Sequence, residues 1–373
     1  MIKITFIIFF YILVLFNTNL IAEDKNEGLK IGLLAPFSGD YRNLGESLLL
    51  STQLALDEIN DKKIKIIPRD SGSGDKEKLN LAIEEIAQQG ARIIIGPMDS
   101  SSNDELKNYK DLIFISLSNQ KPQISKNVIN IGISLESQIK ALGKFIEKEK
   151  KNKTIIMFPK NEYENFVEKK VRSSKLKNYK IFKYSPDPKV LTGEIEKLTN
   201  YNQRKRNLEF RKKLLEDKDD DQSKRELEIL DQLYTLGKVK FDSVVIIDFG
   251  SSLKSVLTSL AFSDVDDRRV LFTTVNQWFD ESLFYENTIN NLYFPSVDLK
   301  QFKKYNEKYY ETFNQRPNEI TILAYDALGL IYYVWNKNKG INSINDFFIK
   351  EKIKGKIGNF KFENGKVTQD LKI

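Results

Sequence analysis

From Leu29 onward the chain alternates short, almost continuous apolar runs with stretches whose apolar residues return at helical spacing. Lys30–Ala35 reads as a strand and Leu44–Ile59 as a helix. Ile64–Ile67 then precedes a helix over Lys76–Gln88, Arg92–Ile95 precedes a helix over Ser100–Asn108, and Leu112–Ile115 ends at a polar loop. Runs that are apolar at every position need cover on both faces, so the β-α-β order predicts a parallel sheet flanked by helices. A second series follows, with strands at Thr154–Phe158, Lys180–Tyr184, Ser243–Ile247 and Val270–Phe272. The expected fold class is therefore α/β, with two doubly wound parallel-sheet lobes. Ligands of such open sheets bind beyond the carboxyl ends of the strands.

The interval between Asp187 and Asp242 departs from this rhythm. It spends more than 50 residues where one crossover helix needs roughly 15. Leu191, Ile195 and Leu198 continue at helical spacing toward Leu208 and Leu215; Asp217-Lys218-Asp219-Asp220-Asp221 breaks the pattern, and Leu227, Leu230 and Leu233 resume it. This predicts a charged helical hairpin inserted over 189–238 in the second lobe. Arg204, Lys205 and Arg206 with Arg211, Lys212 and Lys213 give it a basic patch beside an acidic tip, suited to a protein partner; equally, such a pair of helices can be a solvated face of mixed charge.

At the other end, Lys3 is followed by an apolar run from Ile4 to Phe16, polar Asn17-Thr18-Asn19 and small Ala22. That run is too short for the roughly 20 residues a spanning helix needs, so residues 1–22 read as a cleaved secretory signal peptide, with an uncleaved anchor the alternative, and the mature chain as periplasmic. The chain has no cysteine and no histidine. Disulfides, Ser-His-Asp and Cys-His nucleophiles and His-ligated metals are thereby excluded, and no cofactor is expected. A formal charge of +7 is spread among interleaved acids without the basic stripe a nucleic-acid binder needs, so no nucleic-acid partner is expected. Paired carboxylates would remain for a hydrolase, but Asp57 and Glu58 lie on a helix that faces its sheet and Asp326 has no evident companion; no enzyme is expected.

Three polar loops follow predicted strands of the first lobe. In Pro36-Phe37-Ser38-Gly39-Asp40-Tyr41, Ser38 and Tyr41 stand beside a helix start whose free N–H groups can hold an anionic or polar group; the same residues also suit a capped strand-to-helix turn. In Gly96-Pro97-Met98-Asp99-Ser100-Ser101-Ser102, the hydroxyls of Ser100 and Ser101 suit a carboxylate, or Asp99 or Ser100 simply caps the helix. Ser116-Leu117-Ser118-Asn119-Gln120-Lys121-Pro122 completes one crevice.

These blocks together resemble the type I periplasmic binding proteins, in particular the leucine/isoleucine/valine-binding family. Lys30–Ala55 is similar to that family's opening strand, Pro-x-Ser-Gly loop and first helix, Ile95–Ser102 to its serine-rich ligand loop, and Phe114–Pro122 to its next loop. Asn161-Glu162-Tyr163 falls where a cleft-facing tyrosine follows the second lobe's first strand. Leu323–Ala327 matches a helix signature and Gly355–Gly365 the closing hairpin. The resemblance implies two lobes joined by three crossings: 28–133 plus 276–338, and 134–275 plus 339–373. It implies that Ser100 and Ser118, Asn119 and Gln120 receive an amino-acid carboxylate, that Tyr163 closes from the other lobe, and that an ABC permease takes the cargo. Phe249, Asn276 and Trp278 complete the candidate ligand contacts. The acid that would pair a ligand ammonium after Val270–Thr274 is absent; Asp248 or Asp280 can substitute. Asn276–Leu283 and Asp248–Leu253 resemble instead the penicillin-binding-protein activators, which share this fold and contact a peptidoglycan synthase. A large aromatic such as Trp278 also suits packing between lobes.

Overall fold

The computed structural model describes residues 28–98, 103–118, 126–218, 220–276, 291–363 and 366–373. The first lobe opens with β1 (Lys30–Ala35), α1 (Arg42–Ile59), β2 (Lys65–Asp70), α2 (Lys76–Gln88), β3 (Ile93–Ile95), α3 (Asn103–Leu106), β4 (Ile113–Ser116) and β5 (Val128–Asn130). Its five strands are all parallel, in the order β2-β1-β3-β4-β5. Strand alternation sends Ile31, Leu33, Ile93, Ile95 and Ile115 into one apolar cluster and Leu34, Ile94 and Phe114 into another. This is why the runs are apolar throughout.

The chain then crosses to the second lobe: α4 (Leu135–Lys148), β6 (Thr154–Pro159), α5 (Glu164–Arg172), β7 (Tyr179–Tyr184), α6 (Pro188–Thr199), α7 (Tyr201–Glu216), α8 (Asp221–Asp231), β8 (Ser243–Ile246), α9 (Gly250–Phe262), β9 (Leu271–Thr274) and β10 (Leu292–Tyr293). The parallel order β10-β9-β8-β6-β7 repeats the first sheet's winding, strand for strand. Ile155, Met157, Val244 and Ile246 face one side, while Ile156, Phe158, Val245 and Ile247 face the other. Helices α7 and α8 form the predicted inserted hairpin, with a small core of Leu208, Leu215 and Leu230.

The remainder returns to the first lobe as α10 (Leu299–Phe313) and α11 (Ile322–Asn338), followed by an antiparallel sheet of β11 (Ile353–Lys354), β12 (Asn359–Glu363) and β13 (Lys366–Gln369). Two segments sit differently from the expected boundaries. Leu292–Tyr293 pairs with β9 and so extends the second sheet, whereas Phe347, Ile349, Ile357, Phe360 and Val367 join the first lobe's core instead of the second. The physical reason is Asp326 on α11. Its carboxylate accepts from Lys356 N (2.8 Å) and Ile357 N (2.9 Å), which clamps the final turn onto the first lobe. Gly355 is required there, since a Cβ would lie 2.5 Å from Asp326 Oδ2. Burial pushes the Asp326 carboxyl up to about 6 despite those two donors.

Three segments meet between the lobes. Gln369 Nε2 donates to Ile131 O (2.8 Å) and Gly132 O (3.2 Å), and Ser137 Oγ donates to Gln369 Oε1 (3.0 Å). Ser296 and Lys372 exchange backbone hydrogen bonds of 2.8 and 3.0 Å. The first crossing leaves the carboxyl end of β5 and the second the carboxyl end of β10. Both sheets therefore present their carboxyl ends toward the same hinge.

Candidate functional site

The described loops at those ends differ sharply in what they leave exposed. After β1, Gly45 lets α1 start close to the turn, because a Cβ there would lie 2.0 Å from Pro36 O. Asp70, at the end of β2, gathers the turn: it accepts from Phe37 N (2.9 Å), Gly72 N (3.1 Å) and the Ser38 side chain. Burial opposes ionisation of Asp70, yet the hydrogen bonds of Ser38, Gly72 and Phe37 hold its carboxyl below the usual range. The hydroxyl of Ser38 thus serves the turn, while Tyr41 is 57% exposed at the turn's end.

At the end of β4, Ser116 Oγ donates to Pro97 O (3.3 Å) and Ser118 N donates to Ser116 Oγ (3.3 Å). These bonds bring two adjacent strand ends together and leave Ser118 buried. Ser100, Ser101, Asn119, Gln120, Trp278 and Asp280 lie outside the described residues.

The second lobe contributes Tyr163 and Phe249, 38% and 55% exposed at the ends of β6 and β8. Tyr163 N donates to Asn161 Oδ1 (3.0 Å), and the bond of its hydroxyl to Glu162 pushes the phenol above its ordinary value. Asp248, next to Phe249, is buried. It accepts from Tyr184 Oη, Ser252 Oγ and Phe249 N. Its carboxylate is thereby engaged within its own lobe, so the substitute for a missing ammonium partner is committed elsewhere. Burial and this carboxylate together push the Tyr184 hydroxyl far up.

Asn276 is likewise a hinge residue. It is buried, donates through N to Gln138 Oε1 (2.8 Å) and through Nδ2 to Pro295 O (2.8 Å), and its Oδ1 finds no partner among the described residues. Neither Gln138 nor Gln369 was among the candidate residues, and an isolated glutamine in a sequence carries no signal of such a role.

The basic patch of the hairpin is largely spent on structure. Arg204 is buried at its base and donates to the carbonyls of Gly237 (3.3 Å), Ser263 (2.9 Å) and Asp264 (2.7 Å). Arg211 forks onto Glu226 and Lys212 pairs with Asp231 (2.8 Å), which fastens α7 to α8. Arg206 donates to Gln203, and Lys205 and Lys213 are exposed. Among the described residues no cluster of three or more acids could hold a metal ion, and no helix is long and apolar enough to cross a membrane.

Two parallel five-stranded sheets of like winding, their strands' carboxyl ends turned toward a shared hinge, define the type I periplasmic binding protein fold. The family model described as periplasmic binding protein matches residues 28–173. Among solved structures, the chain is similar to the branched-chain amino acid transporter substrate binding protein LivJ from Streptococcus pneumoniae, in complex with isoleucine (17% identity, TM-score 0.58, 91% of this chain and 92% of that one). It is similar to the LpoA C-domain from Haemophilus influenzae, a regulator of PBP1A (13% identity, TM-score 0.57, 92% and 95%). A branched chain amino acid ABC transporter periplasmic ligand-binding protein from Burkholderia xenovorans aligns at 11% identity and TM-score 0.65, over 91% and 88%. No curated protein matches the sequence. Both resemblances read from the sequence are thus borne out, and at these identities the structures establish the fold alone.

Proposed function

We propose that the chain is a non-catalytic binding protein of the periplasm, exported by its signal segment, that closes its lobes on a small polar molecule of the amino-acid class for uptake by an ABC permease. The observation that carries this reading is the placement of exposed Tyr41, Tyr163 and Phe249 at strand ends turned toward one hinge. Such loops from two lobes enclose a ligand when the hinge bends, and aromatic walls with a few polar groups suit a small organic molecule. Ser100, Ser118, Asn119 and Gln120 would take its carboxylate, and Trp278 would line the wall. The engaged carboxylate of Asp248 favours a ligand whose recognition rests on its anionic end. Calorimetry against a panel of amino and short carboxylic acids tests this: micromolar binding that Tyr163→Ala weakens at least tenfold, with a smaller radius of gyration on saturation, is expected. No heat across the panel and an unchanged scattering profile would refute it.

A second reading, a regulator that contacts a peptidoglycan synthase, is favoured by the hairpin. Phe210 and Ile229 are 65% and 63% exposed there, one on each of the two helices that the Arg211–Glu226 pair joins. Large apolar side chains left exposed suit a protein partner. Retention on an immobilised penicillin-binding protein, lost in Phe210→Ser with Ile229→Ser, would support it; equal retention of both proteins would exclude the hairpin.

A further inference from the structure

A cavity of about 670 Å³ opens away from the strand ends, between α11 and the segment that runs through β11 to Lys356, with Lys304 of α10 at its edge. That volume lies within the range of small-molecule sites, about 300–1,000 Å³. Glycine at position 329 keeps it open. A Cβ there would meet nothing within 4 Å, so packing does not call for glycine, and a glycine inside a helix weakens it. Tyr325 and Tyr333 stand one turn to either side of Gly329 and line the same space.

The walls are fixed and positively charged. Tyr325 donates its hydroxyl to Glu58, and Lys356 Nζ lies 5.4 Å from the centre of the Tyr325 ring. Asp326 holds the backbone of Lys356 and Ile357 against α11. Four lysines line the cavity, and among the described residues only Lys352 has a carboxylate within ion-pair distance, Asp370 at 3.3 Å. The two lining acids are both engaged: Asp326 by backbone N–H groups, and Glu351 by Lys337 at 3.5 Å. Lys304 and Lys354 therefore stand at a concave, partly aromatic space with no carboxylate within ion-pair distance among the described residues, and Lys356 adds a third ammonium whose charge also acts on Glu58 and Asp326.

We propose that this cavity binds a small organic polyanion, its carboxylate or phosphate groups on Lys304, Lys354 and Lys356 and its body against Tyr325 and Tyr333. The site is separate from the interlobe crevice and stands or falls without it. Lysine ammoniums take oxyanions as point charges and do not themselves choose between carboxylate and phosphate. Calorimetry on the full chain at low salt, with citrate for the first and inorganic pyrophosphate for the second, supplies the choice. Saturable binding of at least one is expected, weakened at least tenfold by Gly329→Leu, which fills the space, and independently by Lys304→Glu with Lys356→Glu, which leaves the helix untouched. Lys62→Glu with Lys148→Glu, an equal change of net charge elsewhere, is expected to leave the affinity within twofold. The proposal is overturned if neither anion binds below about 10 mM, or if the matched control weakens binding as much as the cavity variants do.

Discussion

Replacing Arg204 by alanine is the sharpest test of how the inserted hairpin is held. The guanidinium is 7% exposed and donates to three carbonyls at 3.3, 2.9 and 2.7 Å, with Asp264 Oδ2 a further 3.8 Å away. A hydrogen bond to a charged group contributes about 1.5–3 kcal/mol, and removing one partner of a buried charged cluster costs about 3–5 kcal/mol because the others stay desolvated. The three bonds share one side chain and are not additive, so we expect Arg204→Ala to lose about 3–5 kcal/mol. The loss should be local first, since the hairpin core of Leu208, Leu215 and Leu230 is too small to stand alone. Urea unfolding followed by circular dichroism gives the total, and hydrogen exchange over residues 201–231 gives the location. Arg204→Lys keeps the charge without the fork and should lose about 2 kcal/mol. Exposed Arg206→Ala should stay within about 0.5 kcal/mol. If Arg204→Ala behaves like Arg206→Ala, with hairpin amides exchanging as before, the anchoring argument fails.

Other outcomes can be stated as directly. Gly45→Ala should cost at least about 2 kcal/mol by thermal unfolding, since its Cβ meets Pro36 O at 2.0 Å, whereas Gly193→Ala, with open space around it, should gain about 0.5–1 kcal/mol. Tyr184→Phe removes a donor from buried Asp248 and should cost about 1–3 kcal/mol in chemical denaturation. Asp326 has a folded-state value of about 6, above the unfolded value of about 4, so the folded chain holds the proton between these limits. Stability relative to Asp326→Asn should therefore fall as pH rises from about 4 to about 6, by up to about 3 kcal/mol; a difference that is flat or rises across this window refutes it.

The strands were legible because continuous apolar runs have one common explanation, cover on both faces, and Lys30–Ala35 is recovered to the residue. The inserted hairpin was legible from its interrupted leucine period: α7 ends at Glu216, just before the charged break, and α8 starts at Asp221, the last residue of that break. Arg204 was misread for an identifiable reason. In a run Arg204-Lys205-Arg206, successive residues point about 100° apart on a helix, so a charge run mixes buried and exposed faces. Its spacing from Leu208 and Leu215 was the available signal, and it places Arg204 on the buried stripe. Asp248 shows the complementary limit: an acid after a strand reads alike whether it faces a crevice or accepts from Tyr184, some sixty residues away in sequence. Only tertiary geometry separates the two.

The return of the last segment to the first lobe also bears on the order of assembly. The second lobe is drawn from one continuous stretch, Leu135–Tyr293, whereas the first joins Leu29 to Val367 in a single core. Contacts closing so long a loop form late. A chain emerging amino-end first can complete its middle lobe while the opening one still waits, and loss of the terminal β-hairpin would leave the earliest-made half the least finished.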